Sequence, residues 1–172
     1  MPDAVATTAR VRRWRKLIET LLAMQTGVYP EGWLDRGTKM SDHNNYDVVE
    51  LFYRGWLQME PSQRQAASAA VEEMCDWCLG SSVNDDGSLV SPDRSDPIPD
   101  SFYYAASFLD TIGFFDNKKR FWSANVCSYD PTKIKNRMIA QLKKFNPYYT
   151  EIDDTLVRLG VTEHHPWTNA IL

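Results

Sequence analysis

The chain lacks a long apolar run. Among its 172 residues, the uncharged stretch 101–109 is far too short to cross a bilayer, and the first six residues contain no apolar run of signal-peptide length. Cysteine is scarce and odd in number, with Cys75, Cys78 and Cys127 alone, so a disulfide framework is not indicated. We therefore expect a cytoplasmic protein with free thiols and no membrane association.

An excess of basic residues is also missing. The chain has 19 Lys and Arg residues against 23 Asp and Glu residues, which gives a formal net charge of −4. Domains that bind nucleic acid are usually basic, because contacts to phosphate carry much of their affinity. No nucleic-acid partner is expected.

No segment alternates between apolar and polar residues over more than a few positions, which argues against strands. Apolar residues recur instead at spacings of three and four, and 43% of the side chains are apolar, enough for one core. The prediction is an all-α fold of about six helices arranged as stacked αα-hairpins. It forms a single domain over residues 1–172, with less regular ends at 1–7 and 161–172.

Capping and stop signals set the predicted helix bounds. They place helices at residues 8–25, 46–59, 61–80, 101–112, 131–145 and 150–160. Asn44 or Asn45 is predicted to cap the second helix, Ser62 the third and Asp130 the fifth. Residues 114–122 fit either a short helix or an aromatic-anchored turn.

The second and fourth predicted helices have only a narrow polar stripe, so we expect them to be central, with the amphipathic first and third helices outside them. The residues predicted to be buried there are Phe52, Trp56, Phe102, Tyr103 and Leu109. The same order of elements occurs twice. Gly-Trp-Leu at 32–34 and Gly-Ser-Leu at 87–89 begin 55 residues apart, and this offset is the basis for predicting repeated hairpins.

Two short segments, Asp-Gly-Ser-Leu at 86–89 and Tyr-Tyr-Ala-Ala at 103–106, resemble the αα-hairpin repeats of terpenoid cyclases and protein prenyltransferases. The resemblance implies a glycine turn that precedes an inner helix. The Asp-rich acid motif and the zinc ligand set of those families are not found in this sequence. A closed toroid also needs many more hairpins than this length allows, so no activity is transferred.

One candidate site precedes and includes the start of the second helix, where an acid, an imidazole and two amides occur in four residues. These are Asp42, His43, Asn44 and Asn45, and His43 is the best candidate for an acid or base role. The same residue types serve as caps, which is the structural alternative. If the hairpins repeat, Asp100 and Ser101 lie at the same end, and two helix N-termini there favour an anion.

Metal sites have weaker support. Residues 82–93 have part of the spacing of an EF-hand calcium loop, with Asn84, Asp86 and Gly87 in register, but Ser82 replaces the first Asp and Asp93 the final Glu. A solvated turn is favoured. Cys75 and Cys78 lie inside a helix pattern and are interpreted as buried cysteines, and Cys127 could join His164 and His165 only if the tail folds back. No metal or cofactor is predicted.

Two clusters of basic residues mark the faces of the first and fifth helices. They comprise Arg10, Arg12, Arg13, Arg15 and Lys16 around Trp14, and Lys133, Lys135, Arg137, Lys143 and Lys144. Each is either a solvated helix face or a surface for an acidic partner.

Without a catalytic signature, the leading hypothesis is a non-enzymatic protein that binds another protein, as an adaptor, inhibitor or immunity-type factor. The alternative is a small-molecule or anion-binding protein, conceivably an enzyme, with its site at the starts of the second and fourth helices.

Overall fold

A computed structural model describes residues 4–25, 42–89, 98–123, 128–144 and 150–160 of the chain. Within them it has six α-helices: α1 Ala4–Ala23, α2 Asp42–Gly55, α3 Pro61–Trp77, α4 Ile98–Thr111, α5 Pro131–Leu142 and α6 Thr150–Arg158. The β pairing in this part of the chain is a single antiparallel bridge between Val83 and Leu89. The prediction of an all-α fold is confirmed.

The centre of the fold is the pair formed by α2 and α4, the most extensive helix contact, and α6 packs on α4. The rings of Tyr46 and Tyr103 meet edge to face, with 6.1 Å between their centroids. Further along both helices, the Thr111 hydroxyl donates to a carboxylate oxygen of Glu50 at 3.0 Å. Since the two contacts follow the same order along each helix, α2 and α4 run in the same direction.

Burial agrees with the predicted core at three of five positions. Phe52, Phe102 and Leu109 are buried, whereas Trp56 and Tyr103 are only partly so. Trp56 leaves α2 in a 3-10 turn over Trp56–Gln58. The hydroxyl of Tyr103 extends towards a cation, which keeps that end of the ring near the surface.

α1 is fixed to the junction between α2 and α3. The ring of Trp14 packs on Gly55, where an added Cβ would lie 2.9 Å from the ring carbon Cε3. Arg15 forms an ion pair with Glu60 and donates to the carbonyl of Gln58 at 2.9 Å. α3 in turn packs against α1 and α2. The stacked-hairpin arrangement and its internal repeat remain predictions.

Several helix starts differ from the predicted ones. α1 begins at Ala4, so residues 4–7 are not irregular, because alanine favours helix before the amphipathic pattern starts. α2 begins at Asp42, which puts Asn44 and Asn45 inside its first turn. Asn45 is only 3% exposed, so the packed face starts one turn earlier than its apolar residues indicate. Residues 161–172 lie outside the described part of the chain.

Capping follows local chemistry at α3 and α5. Asp130 caps α5 as predicted, and its carboxylate accepts from the backbone N–H groups of Thr132 and Lys133. The predicted cap of α3 at Ser62 is wrong by two residues. Glu60 holds that position, and its backbone N–H donates to the side chain of Gln63. Both helices have proline at their first position, where no N–H is needed.

Two further segments combine regular and irregular backbone. α3 does not stop at Gly80 but continues into a π-helical turn, Cys78–Ser82, whose residues Cys78, Leu79 and Ser82 are buried. After α4, a 3-10 turn over Asn117–Lys119 is flanked by the aromatic residues Phe114, Phe115, Phe121 and Trp122, which pack at the core. This segment therefore has features of both predicted alternatives.

In the described ranges, no helix is both long enough and apolar enough to span a bilayer.

Candidate functional site

The predicted site residues lie in the first turns of two neighbouring helices. Asp42, His43, Asn44 and Asn45 begin α2, and Asp100 and Ser101 belong to the first turn of α4. Because α2 and α4 run in the same direction and touch near their starts, these turns lie at one end of the helix pair. Asn44 is partly buried and Asn45 is buried, whereas the other four side chains are outside the described part of the chain.

Next to these first turns, three helices contribute a cluster that we call the Tyr–Arg cluster, formed by Tyr46 of α2, Tyr103 of α4 and Arg158 of α6. The guanidinium carbon of Arg158 lies 5.5 Å from the Tyr46 ring centroid and 5.3 Å from that of Tyr103. Its Nη2 donates to both phenol oxygens at 3.4 Å. Cation–π attraction and two long hydrogen bonds thus hold the guanidinium against both rings.

The chemistry of the cluster follows from partial burial. Burial raises the pKa of the Tyr46 hydroxyl, Arg158 opposes this rise, and Tyr103 and Glu50 add to it. The hydroxyl therefore stays protonated at neutral pH and can donate a hydrogen bond. Among the described residues, Arg158 has no carboxylate within ion-pair distance. The cluster is a positively charged group with hydroxyl donors.

The Tyr–Arg cluster is not apparent from the sequence. Tyr46 and Tyr103 fit the core pattern of their helices, and Arg158 lies 112 residues from Tyr46 along the chain. The available signal was a tyrosine in the first two turns of each central helix, because a buried tyrosine usually needs a polar partner for its hydroxyl. Nothing in the sequence indicated that the partner is Arg158.

The part of the EF-hand-like segment 82–93 that the structure describes forms a turn held by hydrogen bonds. Oδ1 of Asp86 accepts from the backbone N–H of Ser88 at 2.9 Å and from its hydroxyl at 2.6 Å. Gln141 of α5 donates to Oδ2 of Asp86 at 3.0 Å. Both oxygens of this carboxylate therefore have partners within the protein. Asp93 of the EF-hand-like pattern lies outside the described residues.

We expect Ser88→Ala to raise the pKa of Asp86 towards its ordinary value of 3.8, since the Ser88 hydroxyl is the main cause of its lowering and the Ser88 N–H the next. The folded pKa lies below the unfolded one. The stabilisation is therefore complete above the unfolded pKa and is lost as the pH falls through the folded pKa. Carbon-detected NMR titration of the Asp86 carboxyl measures this change, and an unchanged midpoint in the variant would contradict the assignment.

The cysteines and histidines form no recognisable centre in the described ranges. Cys75 and Cys78 are buried on α3 and the π-helical turn, in agreement with their interpretation as buried cysteines. Cys127, His164 and His165 lie outside the described residues. Among the residues that are described, no three His, Cys, Asp or Glu side chains are grouped as metal ligands.

A shallow groove runs along one face of α1. Its volume is about 440 Å³, and the described residues that line it are Ala9, Arg10, Arg13, Trp14 and Leu17. Leu17 is 42% exposed, and Met24, two turns further on, is 61% exposed. We call this surface the α1 face. It combines apolar side chains with cations on one side of a helix.

The two basic helices differ in how their charges are compensated. Arg15 of α1 is paired with Glu60, but within the described structure Arg10, Arg12, Arg13 and Lys16 have no ion pair. On α5, Arg137 lies 4.0 Å from Asp85, and Gln141 contacts Asp86, so acidic residues adjoin that helix. The α1 face therefore carries the less compensated positive charge.

Comparisons of the chain with protein-family models, with curated proteins and with solved structures find no match in any of the three. The resemblance of two short segments to cyclase hairpins thus gains no support from a matching family or fold. Function has to be argued from the surfaces described above.

Proposed function

We propose that this protein is a non-enzymatic binding protein that docks an acidic, partly apolar segment of a partner protein on its α1 face. The observation that carries this proposal is the combination, along α1, of unpaired arginines with exposed Leu17 and Met24. Large apolar side chains that remain exposed beside a groove are typical of interaction surfaces. A chain of net charge −4 gains such a basic face only by segregating its charges.

The chemistry of the partner follows from these residues. Arg10 and Arg13 line the groove and can each form a bidentate pair with a carboxylate. Trp14 and Leu17 follow the two arginines on the same face of the helix, where an apolar side chain of the partner would lose water. An amphipathic helix with Asp or Glu residues flanking one or two Leu or Phe residues fits this pattern.

The first test is to identify a partner by affinity capture from the native host and then to measure its binding with purified components. The double charge reversal Arg10→Glu with Arg13→Glu should weaken binding at least about tenfold, because it places like charges against the acidic segment. Binding of the unmodified protein should weaken as salt is added. Isothermal titration calorimetry measures both effects.

The matched control is Lys133→Glu with Lys143→Glu on α5. It changes the net charge equally, and both side chains are exposed. We expect this variant to bind as the unmodified protein does. Equal weakening by both variants would assign the effect to overall charge, and full binding by the α1 variant would overturn the proposal. Failure of the unmodified protein to bind any stoichiometric partner directly would also overturn it.

A further inference from the structure

The strongest unassigned feature away from the α1 face is the Tyr–Arg cluster. Arg158 has five N–H donors, and its hydrogen bonds to the described protein come from Nη2 alone, both at 3.4 Å. A guanidinium partly withdrawn from water is normally paired with a carboxylate. Here the described structure supplies two phenol hydroxyls and no acid.

Among the side chains that the structure describes, none of the neighbouring acids forms an ion pair with Arg158. Glu50 lies one turn along α2 from Tyr46, but Thr111 and Arg54 already donate to its two carboxylate oxygens. Asp47 and Asp154 are exposed to solvent. The first turns of α2 and α4 lie beside the cluster, and helix N-termini contribute positive potential.

The rings fix the guanidinium without using all of its donors. The guanidinium carbon of Arg158 lies 5.5 Å and 5.3 Å from the centroids of the Tyr46 and Tyr103 rings, and its hydrogen bonds to these residues use Nη2 alone. The other N–H groups at the edge of the guanidinium are those that an oxyanion would bind. The phenol oxygens accept from Arg158. A hydrogen bond between the two hydroxyls also helps to raise the pKa of Tyr46, so one O–H proton is used within the pair and the other can be donated to a ligand. One turn beyond Tyr103 on the same face of α4, the buried Ser107 hydroxyl has no hydrogen-bond partner among the described residues.

We propose that the Tyr–Arg cluster binds an oxyanion group, either a carboxylate or a phosphate, between the edge of the Arg158 guanidinium and the hydroxyls of Tyr46 and Tyr103. This site is separate from the α1 face and uses no residue of it. All three side chains are only partly buried, so a small anion can reach them from solvent.

The test is an NMR titration of the full chain with inorganic phosphate and, separately, with benzoate, at constant ionic strength set by chloride. Saturable shifts of the Arg158 Nε–Hε resonance and of the Tyr103 ring are expected with at least one anion. Saturation by phosphate alone would assign the site to phosphate groups, and saturation by benzoate alone to carboxylates. No saturable shift with either anion up to about 50 mM would overturn the proposal.

Variants separate binding from a packing role. Arg158→Gln should weaken anion binding about tenfold or more, and Tyr103→Phe should weaken it several-fold while keeping the ring. Arg158→Lys retains the charge without the planar fork and should fall between Arg158→Gln and the unmodified protein, so it keeps the test valid if Arg158→Gln does not fold.

The matched control is Arg12→Gln, which removes an exposed arginine from α1 that has no ion pair in the described structure, and it should leave anion binding unchanged. If Arg12→Gln weakens binding as much as Arg158→Gln, the anion is held by general surface charge and the proposal is wrong. Loss of thermal stability in Tyr103→Phe with unchanged anion affinity would likewise reduce the cluster to a packing contact.

Discussion

Replacing Leu109 with alanine is expected to lower the free energy of unfolding by about 2–5 kcal/mol, the range for removing a large aliphatic side chain from a packed core. Leu109 is 0% exposed and lies in the same buried cluster as Phe52, Phe102 and Phe108, on the two helices that form the centre of the fold. The substitution removes only side-chain atoms, because the Leu109 carbonyl still accepts from the N–H of Phe114. The lost stability therefore combines the transfer free energy of the removed atoms with the energetic cost of the cavity left behind.

Leu57→Ala is the matched control, since Leu57 is 82% exposed. We expect its free energy of unfolding to stay within about 0.5 kcal/mol of the unmodified protein. Urea denaturation followed by circular dichroism gives both values. A neutral Leu109→Ala, or equal losses at the two positions, would show that α2 and α4 do not form the core described here.

The burial of Leu109 was predictable because it depends on local periodicity. The fourth helix has a narrow polar stripe with Asp110 as its charged residue after Ser101, so most of its surface has to face other helices. The cap of α5 was predictable for a similar reason, since Asp130 followed by Pro131 satisfies the first backbone donors within a few residues. In both cases the determining contacts are close in sequence or follow from composition.

Features that depend on distant contacts were not predictable. Trp56 fits an inward position on a continuous helix, but the backbone changes to a 3-10 turn there, and its ring is covered by Phe121 and by the guanidinium of Arg64. Glu60 caps α3 in place of Ser62 through its local pair with Gln63, but its ion pair with Arg15 on α1 is a distant contact that its position in the sequence does not indicate. Such pairs form only once the tertiary structure brings the helices together.

The candidate surfaces show the same division. The two basic helices could be predicted from residue spacing. The difference in how their charges are compensated depends on Asp85 and Asp86, which lie beside α5 and which the spacing does not specify as neighbours. The Tyr–Arg cluster could not be predicted, because Arg158 lies at the end of a short helix, where a basic residue is common since it interacts favourably with the helix dipole. Its second role depends on the placement of α6 against α4.

A substitution at the C-terminal end of α4 should destabilise the protein as much as Leu109→Ala does. Gly113 has φ = 72°, and the backbone N–H groups of Gly113 and Phe114 donate to the carbonyls of Asp110 and Leu109, the pattern of a Schellman C-cap. The chain then returns so closely that a Cβ on Gly113 would lie 2.4 Å from the backbone nitrogen of Arg120. We expect Gly113→Ala to lower the free energy of unfolding by about 2–5 kcal/mol, from left-handed strain together with displacement of the 3-10 turn.

Gly160→Ala separates these two contributions. Gly160 follows α6 with φ = 67°, but its nearest neighbour would be the Lys135 ammonium at 3.5 Å, an ordinary contact. Gly160→Ala should therefore lower the free energy of unfolding only through left-handed backbone strain, by about 1–2 kcal/mol. Urea denaturation of both variants measures the difference, and the NMR resonance of the Trp122 indole N–H is a local probe, because this group donates to the carbonyl of Ile112 at 2.9 Å beside the turn. A loss in Gly113→Ala no larger than in Gly160→Ala would mean that the 3-10 turn moves away at little cost, and the close return of the chain on α4 would not stabilise the fold.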